Sequence, residues 1–291
     1  MAAERVVFTL GHSPDPDDAF MFYAMAQNKI DLRGYRFEHR LEDIQTLNER
    51  ALRGELHISA ISIHAFAYVC KRYALLPCGA SMGDGYGPIL ISKRPTSNRT
   101  TGFNQSAARE VLADRRIAVP GKMTSAFLAL QLFLGEFDYV VVPFDQIFEA
   151  VKDGRADYGL IIHEGQLTYA WSGFQKIIDL GEWWKGETGL PLPLGGNVLR
   201  KDIPKSVQHD LVQIIRESIE FGLAHRDEAL RHSLAYARDM DAKLAGKFIG
   251  MYVNEFTLDY GEIGRAAIRK FLGDARDKGY INTPVEVELV D

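Results

Sequence analysis

Residues 35–62 read YRFEHRLEDIQTLNERALRGELHISAIS and carry the clearest pattern of secondary structure in the chain. Tyr35–Leu41 alternates apolar and polar side chains, which is typical of a strand. Gln45–Arg53 carries apolar residues at helical spacing and ends on Gly54, a residue type that favours helix C-termini. Leu56–Ile61 is apolar again and predicts a buried strand. A strand, a helix and a strand with short connections indicate a parallel βαβ unit.

The flanking segments extend this unit. Val6–Leu10 is apolar and β-branched, which predicts a buried strand, and it leads through the turn Gly11–Asp18 into a helix over Ala19–Gln27. Ile63–Arg72 predicts another helix after the third strand. The order is therefore β-α-β-α-β.

The same order recurs later in the chain. The predicted elements are a strand over Arg116–Val119, a helix over Ala126–Leu134, a strand over Tyr139–Val142, a helix over Asp145–Lys152 and a strand over Tyr158–Ile162. Gly154 follows its helix as Gly54 follows the earlier one. We take this as one architectural unit used twice.

Two such units predict an α/β fold of two lobes with a ligand cleft between them. The first lobe would comprise residues 1–94 and 198–291, and the second residues 95–197. Two apolar segments, Gly87–Arg94 and Leu190–Leu199, would connect the lobes as extended hinge strands. The chain after Ser206 is helical in pattern and is expected to pack on the first lobe.

Composition narrows the class of protein. A net charge of −5 argues against nucleic-acid binding, which usually needs a basic stripe. Cys70 and Cys78 are too few for a disulfide framework, and two buried thiols are expected rather than an isolated disulfide. The N-terminus lacks the apolar run of a signal peptide, and no run reaches the ~20 apolar residues of a membrane span. We therefore expect a cytoplasmic protein that does not bind membranes.

Ligands of parallel α/β sheets bind beyond the carboxyl ends of the strands. That rule selects Ser13–Asp18, Ser62, Thr124-Ser125 and His163-Glu164. No GxGxxG follows the first strand, no GxSxG is present, and no Cys/His cluster has zinc spacing, so a dinucleotide, a serine-hydrolase elbow and a structural metal are not expected.

Each candidate also has a structural interpretation. Thr124 and Ser125 open a helix and either cap it or present hydroxyls and amides to an anion. Asp17 and Asp18 suit a helix N-terminus, whereas Asp15 lies outside the first turn. His163 is either a packed histidine or a proton acceptor near neutral pH. The pairs Trp183-Trp184 and Tyr169/Trp171 either wall an aromatic ligand or belong to the core.

Several motifs together resemble the 1,4-dihydroxy-6-naphthoate synthases of the futalosine route to menaquinone. They are Ser13-Pro-x-Pro-x-Asp18, Leu41-Glu-Asp-x-x-Thr-Leu-Asn48, Gly159-Leu-Ile-Ile-His-Glu164, Thr188-Gly-Leu-Pro-Leu-Pro-Leu-Gly195 and Tyr252-Val-Asn-x-Phe-x-Leu-Asp259. The resemblance implies a type II periplasmic-binding-protein fold. It also implies a lyase that uses no cofactor or metal and acts on a small carboxylate, cyclic dehypoxanthine futalosine. His163 would be the general base, and the substrate would contact Ser62, Thr124, Ser125, Asn48, Ser13 and Asp18.

One motif departs from this family, which commonly has Ser-Pro-Cys-Pro-Asn-Asp where this chain has acids at Asp15 and Asp17. Either these acids face away from the cleft, or one is protonated or salt-bridged, or the substrate differs. The alternatives are a related chorismate dehydratase and a non-catalytic small-anion-binding protein of the same fold. The oligomeric state is left open.

Overall fold

A computed structural model describes residues 6–93, 110–112, 114–237 and 240–290. Its strands are β1 (Val7–His12), β2 (Arg36–Leu41), β3 (Ile58–Ser62), β4 (Tyr73–Leu75), β5 (Ser81–Gly83), β6 (Ile89–Ser92), β7 (Ile117–Val119), β8 (Tyr139–Val141), β9 (Tyr158–Ile161), β10 (Gln175–Asp179) and β11 (Leu192–Arg200).

The helices that the description covers in full begin with α1 (Pro16–Met21), α2 (Tyr23–Ala26), α3 (Ile44–Arg53), α4 (Ile63–Val69), α5 (Ser125–Leu134), α6 (Ile147–Lys152), α7 (Gly165–Thr168) and α8 (Leu180–Thr188). The C-terminal part adds α9 (Lys205–Ala224), α10 (Arg226–Ser233), α11 (Ala242–Tyr252), α12 (Glu255–Leu258) and α13 (Gly261–Asp277). Within these ranges no helix combines the length and apolarity that crossing a bilayer requires.

The strands form two mixed sheets, one for each lobe. In the first lobe the order is β2-β1-β3-β11-β4, with β5 also paired to β11; in the second it is β10-β6-β9-β7-β8. β1 runs parallel to β2 and β3, and β7 runs parallel to β8 and β9. These parallel pairs confirm the two predicted βαβαβ units and the two-lobed fold.

Local chemistry explains why the repeated units fold alike. The Asp43 side chain caps α3 by accepting from the amides of Gln45 and Thr46. The helix then ends at Gly54, whose φ of 74° lies in the left-handed region that glycine adopts without strain. Gly154 has the same φ of 74° after α6, so the two glycines do occupy matching places.

The predicted hinge segments are instead mostly sheet strands. Ile89–Ser92 pairs in the second sheet as β6, and Leu192–Arg200 pairs in the first as β11. The chain therefore changes sheets over shorter stretches, 84–88 and 180–191, the second of which contains α8. The predicted lobe limits, 1–94 with 198–291 against 95–197, stay a prediction.

The predicted helix Ala19–Gln27 is wrong in detail. The chain forms α1 and α2 with a break at Phe22, because the backbone there leaves helical geometry (ψ 7°). The C-terminal helices pack on the first lobe as expected: Leu211, Ile214 and Ile219 of α9 share a buried cluster with Leu10 of β1. Cys70 and Cys78 are buried free thiols.

A second apolar cluster joins the lobes behind the cleft. Phe66 of α4 and Phe271 of α13 belong to the same cluster as Phe127 of α5 and Trp184 of α8. The Trp184 and Phe271 rings meet edge to face, with centroids 5.4 Å apart. The two lobes therefore share part of their apolar core.

Candidate active site

A cavity of about 130 Å³ lies where the strand ends of the two lobes face each other. Residues of both lobes line it, and they include five of the seven residues predicted for the site: Ser13, Asp18, Ser62, Thr124 and Ser125. Asn48 and His163 are not among the lining residues. The strand-end rule therefore located the cavity.

Asn48 and Ser62 form a reciprocal pair at the end of β3. The Asn48 Oδ1 accepts from the Ser62 amide at 2.8 Å, and its Nδ2 donates to the Ser62 Oγ at 2.9 Å. Both residues are buried. Asn48 thus orients the Ser62 hydroxyl from behind, and Ser62 keeps its own O–H to donate into the cavity.

The Thr124-Ser125 turn uses its hydroxyl protons within the protein. Thr124 Oγ1 caps α5 by accepting from the Phe127 amide at 3.1 Å, and it donates to the Gly121 carbonyl at 2.9 Å. Ser125 Oγ donates to the Leu194 carbonyl at 2.5 Å. The first amides of a helix have no intrahelical acceptor, so those of Ser125 and Ala126 are the donors that α5 presents at the cavity. Capping and anion binding are thus compatible here.

Three acids line the cavity: Asp15, which precedes α1, and Asp17 and Asp18 in the first turn of α1. The interpretation that Asp15 and Asp17 face away from the cleft is therefore wrong. Asp18 Oδ2 accepts from the Ser13 amide at 2.6 Å, and Ser13 Oγ donates to Asp15 Oδ2 at 2.8 Å. Burial raises the pKa of Asp18 to about 7, and burial followed by repulsion from Asp18 and Asp15 raises the pKa of Asp17 well above its usual range. Protons therefore neutralise part of this wall near pH 7. In the described residues no three potential ligand side chains are grouped as a metal site would need.

His163 lies beside the cavity, next to the lining residue Ile162, and is only 8% exposed. Its Nδ1 accepts from the Gly165 amide at 3.0 Å and lies 3.7 Å from Glu164 Oε2. The rings of Phe144 and Phe148 lie nearly perpendicular to the imidazole, with centroids 5.6 Å and 6.1 Å from it. Because Nδ1 accepts a hydrogen bond, the neutral ring in this geometry carries its proton on Nε2.

Hydrogen bonds cross between the lobes on both flanks of the cavity. On one flank, Gln45 Oε1 accepts from the Met123 amide at 3.1 Å, and Asn48 Nδ2 donates to the Met123 carbonyl at 3.3 Å. On the other flank, the Tyr252 hydroxyl donates to Gln166 Oε1 at 2.6 Å. The lobes are therefore in a closed arrangement.

Comparison with known proteins identifies the family of this chain. The sequence profile described as "menaquinone biosynthesis" matches residues 8–277. The chain belongs to the menaquinone biosynthesis family. A Thermus thermophilus protein named 1,4-dihydroxy-6-naphthoate synthase is 36% identical over 270 residues, 93% of this chain and 94% of the relative. A Streptomyces coelicolor protein of the same name is 34% identical over 278 residues, 94% of each chain.

Solved structures place this family member among two-lobed binding-protein folds. A crystal structure from Archaeoglobus fulgidus has a TM-score of 0.87 and 42% identity, and the match covers 94% of this chain and 98% of that one. The alkanesulfonate-binding protein of Xanthomonas axonopodis pv. citri has a TM-score of 0.70 at 11% identity, with 98% of both chains covered. The latter likeness concerns the fold alone.

Sequence reasoning missed four polar residues at this family member's cavity. Ser81, Asn197 and Tyr252 line it, and Gln45 bonds across its edge. Asn197 stood inside the segment interpreted as a hinge, where a lone amide in an apolar strand was the available signal. Tyr252 begins the motif Tyr252-Val-Asn-x-Phe-x-Leu-Asp259, which indicates the family and not a role for its first residue.

The aromatic pairs do not wall the cavity. Trp184 belongs to the apolar cluster that the two lobes share, and its indole N–H donates to the Pro191 carbonyl at 3.1 Å. Trp183 packs against this cluster. Trp171 is 74% exposed. The interpretation of Trp183-Trp184 as core residues is the correct one.

Proposed function

We propose that this protein is a carbon–carbon lyase that converts cyclic dehypoxanthine futalosine to 1,4-dihydroxy-6-naphthoate in menaquinone biosynthesis. The two relatives that carry this synthase name match nearly the whole chain. The observation that carries the proposal is the cavity itself, which combines helix amides and a serine hydroxyl with a neighbouring histidine. The cytoplasmic location expected from the sequence remains part of this proposal.

The substrate carboxylate binds at the N-terminus of α5. The amides of Ser125 and Ala126 point where an anion gains from the helix dipole, and the Ser62 hydroxyl supplies a third donor. Thr124 and Ser125 act here through backbone position rather than through their hydroxyls, whose protons are already donated within the protein. Partial neutralisation of Asp17 and Asp18 reduces repulsion of this anion.

His163 removes a proton from the sugar-derived ring carbon. The adjacent C–C bond then breaks, the bicycle aromatises, and a three-carbon sugar fragment leaves. Since a base needs a free lone pair, the Gly165 bond to Nδ1 opens when substrate binds. Either Nδ1 is then the base, or the ring proton moves from Nε2 to Nδ1 and Nε2 is the base. Closure of the lobes excludes water during this step.

The test offers the purified protein cyclic dehypoxanthine futalosine and chorismate in separate reactions, with product followed by ultraviolet absorbance and mass. We expect turnover of the first only. His163→Asn should lower kcat by about 10²–10⁴-fold while substrate binding, measured by calorimetry, stays within about tenfold. Turnover of chorismate would support the dehydratase, and binding without turnover of either compound would support the binding protein. Full activity in His163→Asn would reject His163 as the base.

A further inference from the structure

Asn197 holds a buried acceptor that the protein leaves unused. The residue lies in β11, lines the cavity and is 1% exposed. Its Nδ2 donates to the Gly79 carbonyl at 3.1 Å. Because a carbonyl can only accept, this bond settles which end of the amide is nitrogen. The remaining atom, Oδ1, has no hydrogen-bond partner among the described residues.

A buried polar atom without a partner is uncommon in folded proteins and usually indicates a water or ligand contact. Asn197 sits opposite Ala60 of β3, and β1, which leads into the acidic turn, pairs with the other edge of β3. Asp17 and Asp18 line the same cavity. Oxygen atoms of Asn197 and of the acidic turn thus make one part of the cavity rich in acceptors.

The N-terminus of α5 adds donors to the cavity, since the amides of Ser125 and Ala126 are presented there, and it meets β11 at Leu194, three residues before Asn197. A ligand that uses both sets of groups carries an anionic group for the donors and hydroxyl groups for the acceptors. The proposed substrate has this polarity, with a carboxylated ring system and a hydroxylated sugar-derived part.

We propose that Asn197 is a specificity-determining residue whose side-chain oxygen accepts a hydrogen bond from a hydroxyl of the substrate's sugar-derived part. This inference rests on the proposed function. It assigns the hydroxylated end of the substrate to β11 and the carboxylate to α5.

The experiment compares Asn197→Leu, which has no acceptor, with Asn197→Asp, which keeps an acceptor oxygen in the same place. Each variant and the wild type are assayed with cyclic dehypoxanthine futalosine and with analogues that lack one sugar-derived hydroxyl. Gln208→Leu is the control, because Gln208 is a buried amide that donates to the Ile203 carbonyl at 2.6 Å and does not line the cavity.

In Asn197→Leu we expect kcat/KM for the full substrate to fall about 10–100-fold, as for a lost buried hydrogen bond. One deoxy analogue should show the same fall with the wild type and no further fall with Asn197→Leu. Asn197→Asp should still discriminate between the full substrate and that deoxy analogue. Gln208→Leu should lower the melting temperature without changing discrimination.

Other outcomes overturn the inference. If both Asn197 variants lose thermal stability yet discriminate as the wild type does, Asn197 is merely structural through Gly79. If every deoxy analogue is used as well as the full substrate, no hydroxyl is recognised. A wild type that neither binds nor turns over the full substrate refutes the proposed function, and this inference with it.

Discussion

Replacement of Asn48 by Ala tests how the site is held together. The change removes three hydrogen bonds, two with Ser62 and one with the Met123 carbonyl. A net hydrogen bond is worth about 1 kcal/mol, and the Ser62 amide, left buried without an acceptor, adds about 1–3 kcal/mol. The bond to Met123 is the longest of the three, at 3.3 Å, and contributes least. The two bonds to Ser62 and the unpaired Ser62 amide together account for an expected fall of about 3–5 kcal/mol in the free energy of unfolding.

Urea unfolding followed by circular dichroism measures this loss. With a slope of about 3 kcal/mol/M, the midpoint should fall by about 1–1.7 M. Ser62→Ala is the matched control: it removes only the hydroxyl contact and keeps the amide bonded, so its loss should be about 1 kcal/mol. A loss below about 1 kcal/mol in Asn48→Ala would refute the reasoning that the pair supports the end of β3.

Three further predictions concern closure and charge. Tyr252→Phe removes the hydrogen bond to Gln166 that joins the lobes, so KM should rise about 5–10-fold. Small-angle scattering should show a more open average shape, and an unchanged KM and shape would contradict a role of Tyr252 in closure. Gly121→Ala should raise KM, because a Cβ there overlaps the Gln45 side chain that bonds across the cleft. Adding Gln45→Ala to this variant should raise KM no further, and additive effects on KM would contradict this account. Burial raises the pKa of Asp18 in the folded state to about 7, above its value in the unfolded chain. Between these two pKa values the native state binds a proton that the unfolded state does not, so stability falls as pH rises through this range. The melting-temperature advantage of Asp18→Asn should therefore grow from about pH 4 to about pH 8, and a pH-independent difference would contradict the assigned charge state.

The acidic turn shows how tertiary structure resolved an ambiguity of the sequence. Three interpretations of Asp15 and Asp17 were open. The fold places both at the cavity, and burial beside Asp18 raises the pKa of Asp17. These findings favour protonation over acids that face away. The pKa of Asp17 rises mainly because the folded chain buries the carboxyl away from water. A local motif does not specify which other segments bury it.

The two βαβαβ units follow from the sequence alone, because strand and helix periods are local patterns. The ends of parallel strands meet at one edge of a sheet, and the Ser62 and Thr124-Ser125 that this rule selects both line the cavity. Their role as site residues stays a prediction. Caps such as Asp43 and Gly54 are local too, which is why α3 was predicted to within a residue.

Only the tertiary structure decided how these parts pair and what each polar atom does. β11 inserts between β3 and β4 although well over a hundred residues separate it from both, so a segment interpreted as a hinge became a central strand that carries Asn197. The hydroxyl proton of Ser125 is donated to the Leu194 carbonyl, and Asn48 Nδ2 donates to the Met123 carbonyl. The physical reason is that hydrogen-bond partners and desolvation depend on which distant segments meet, and residue type and spacing alone do not specify this.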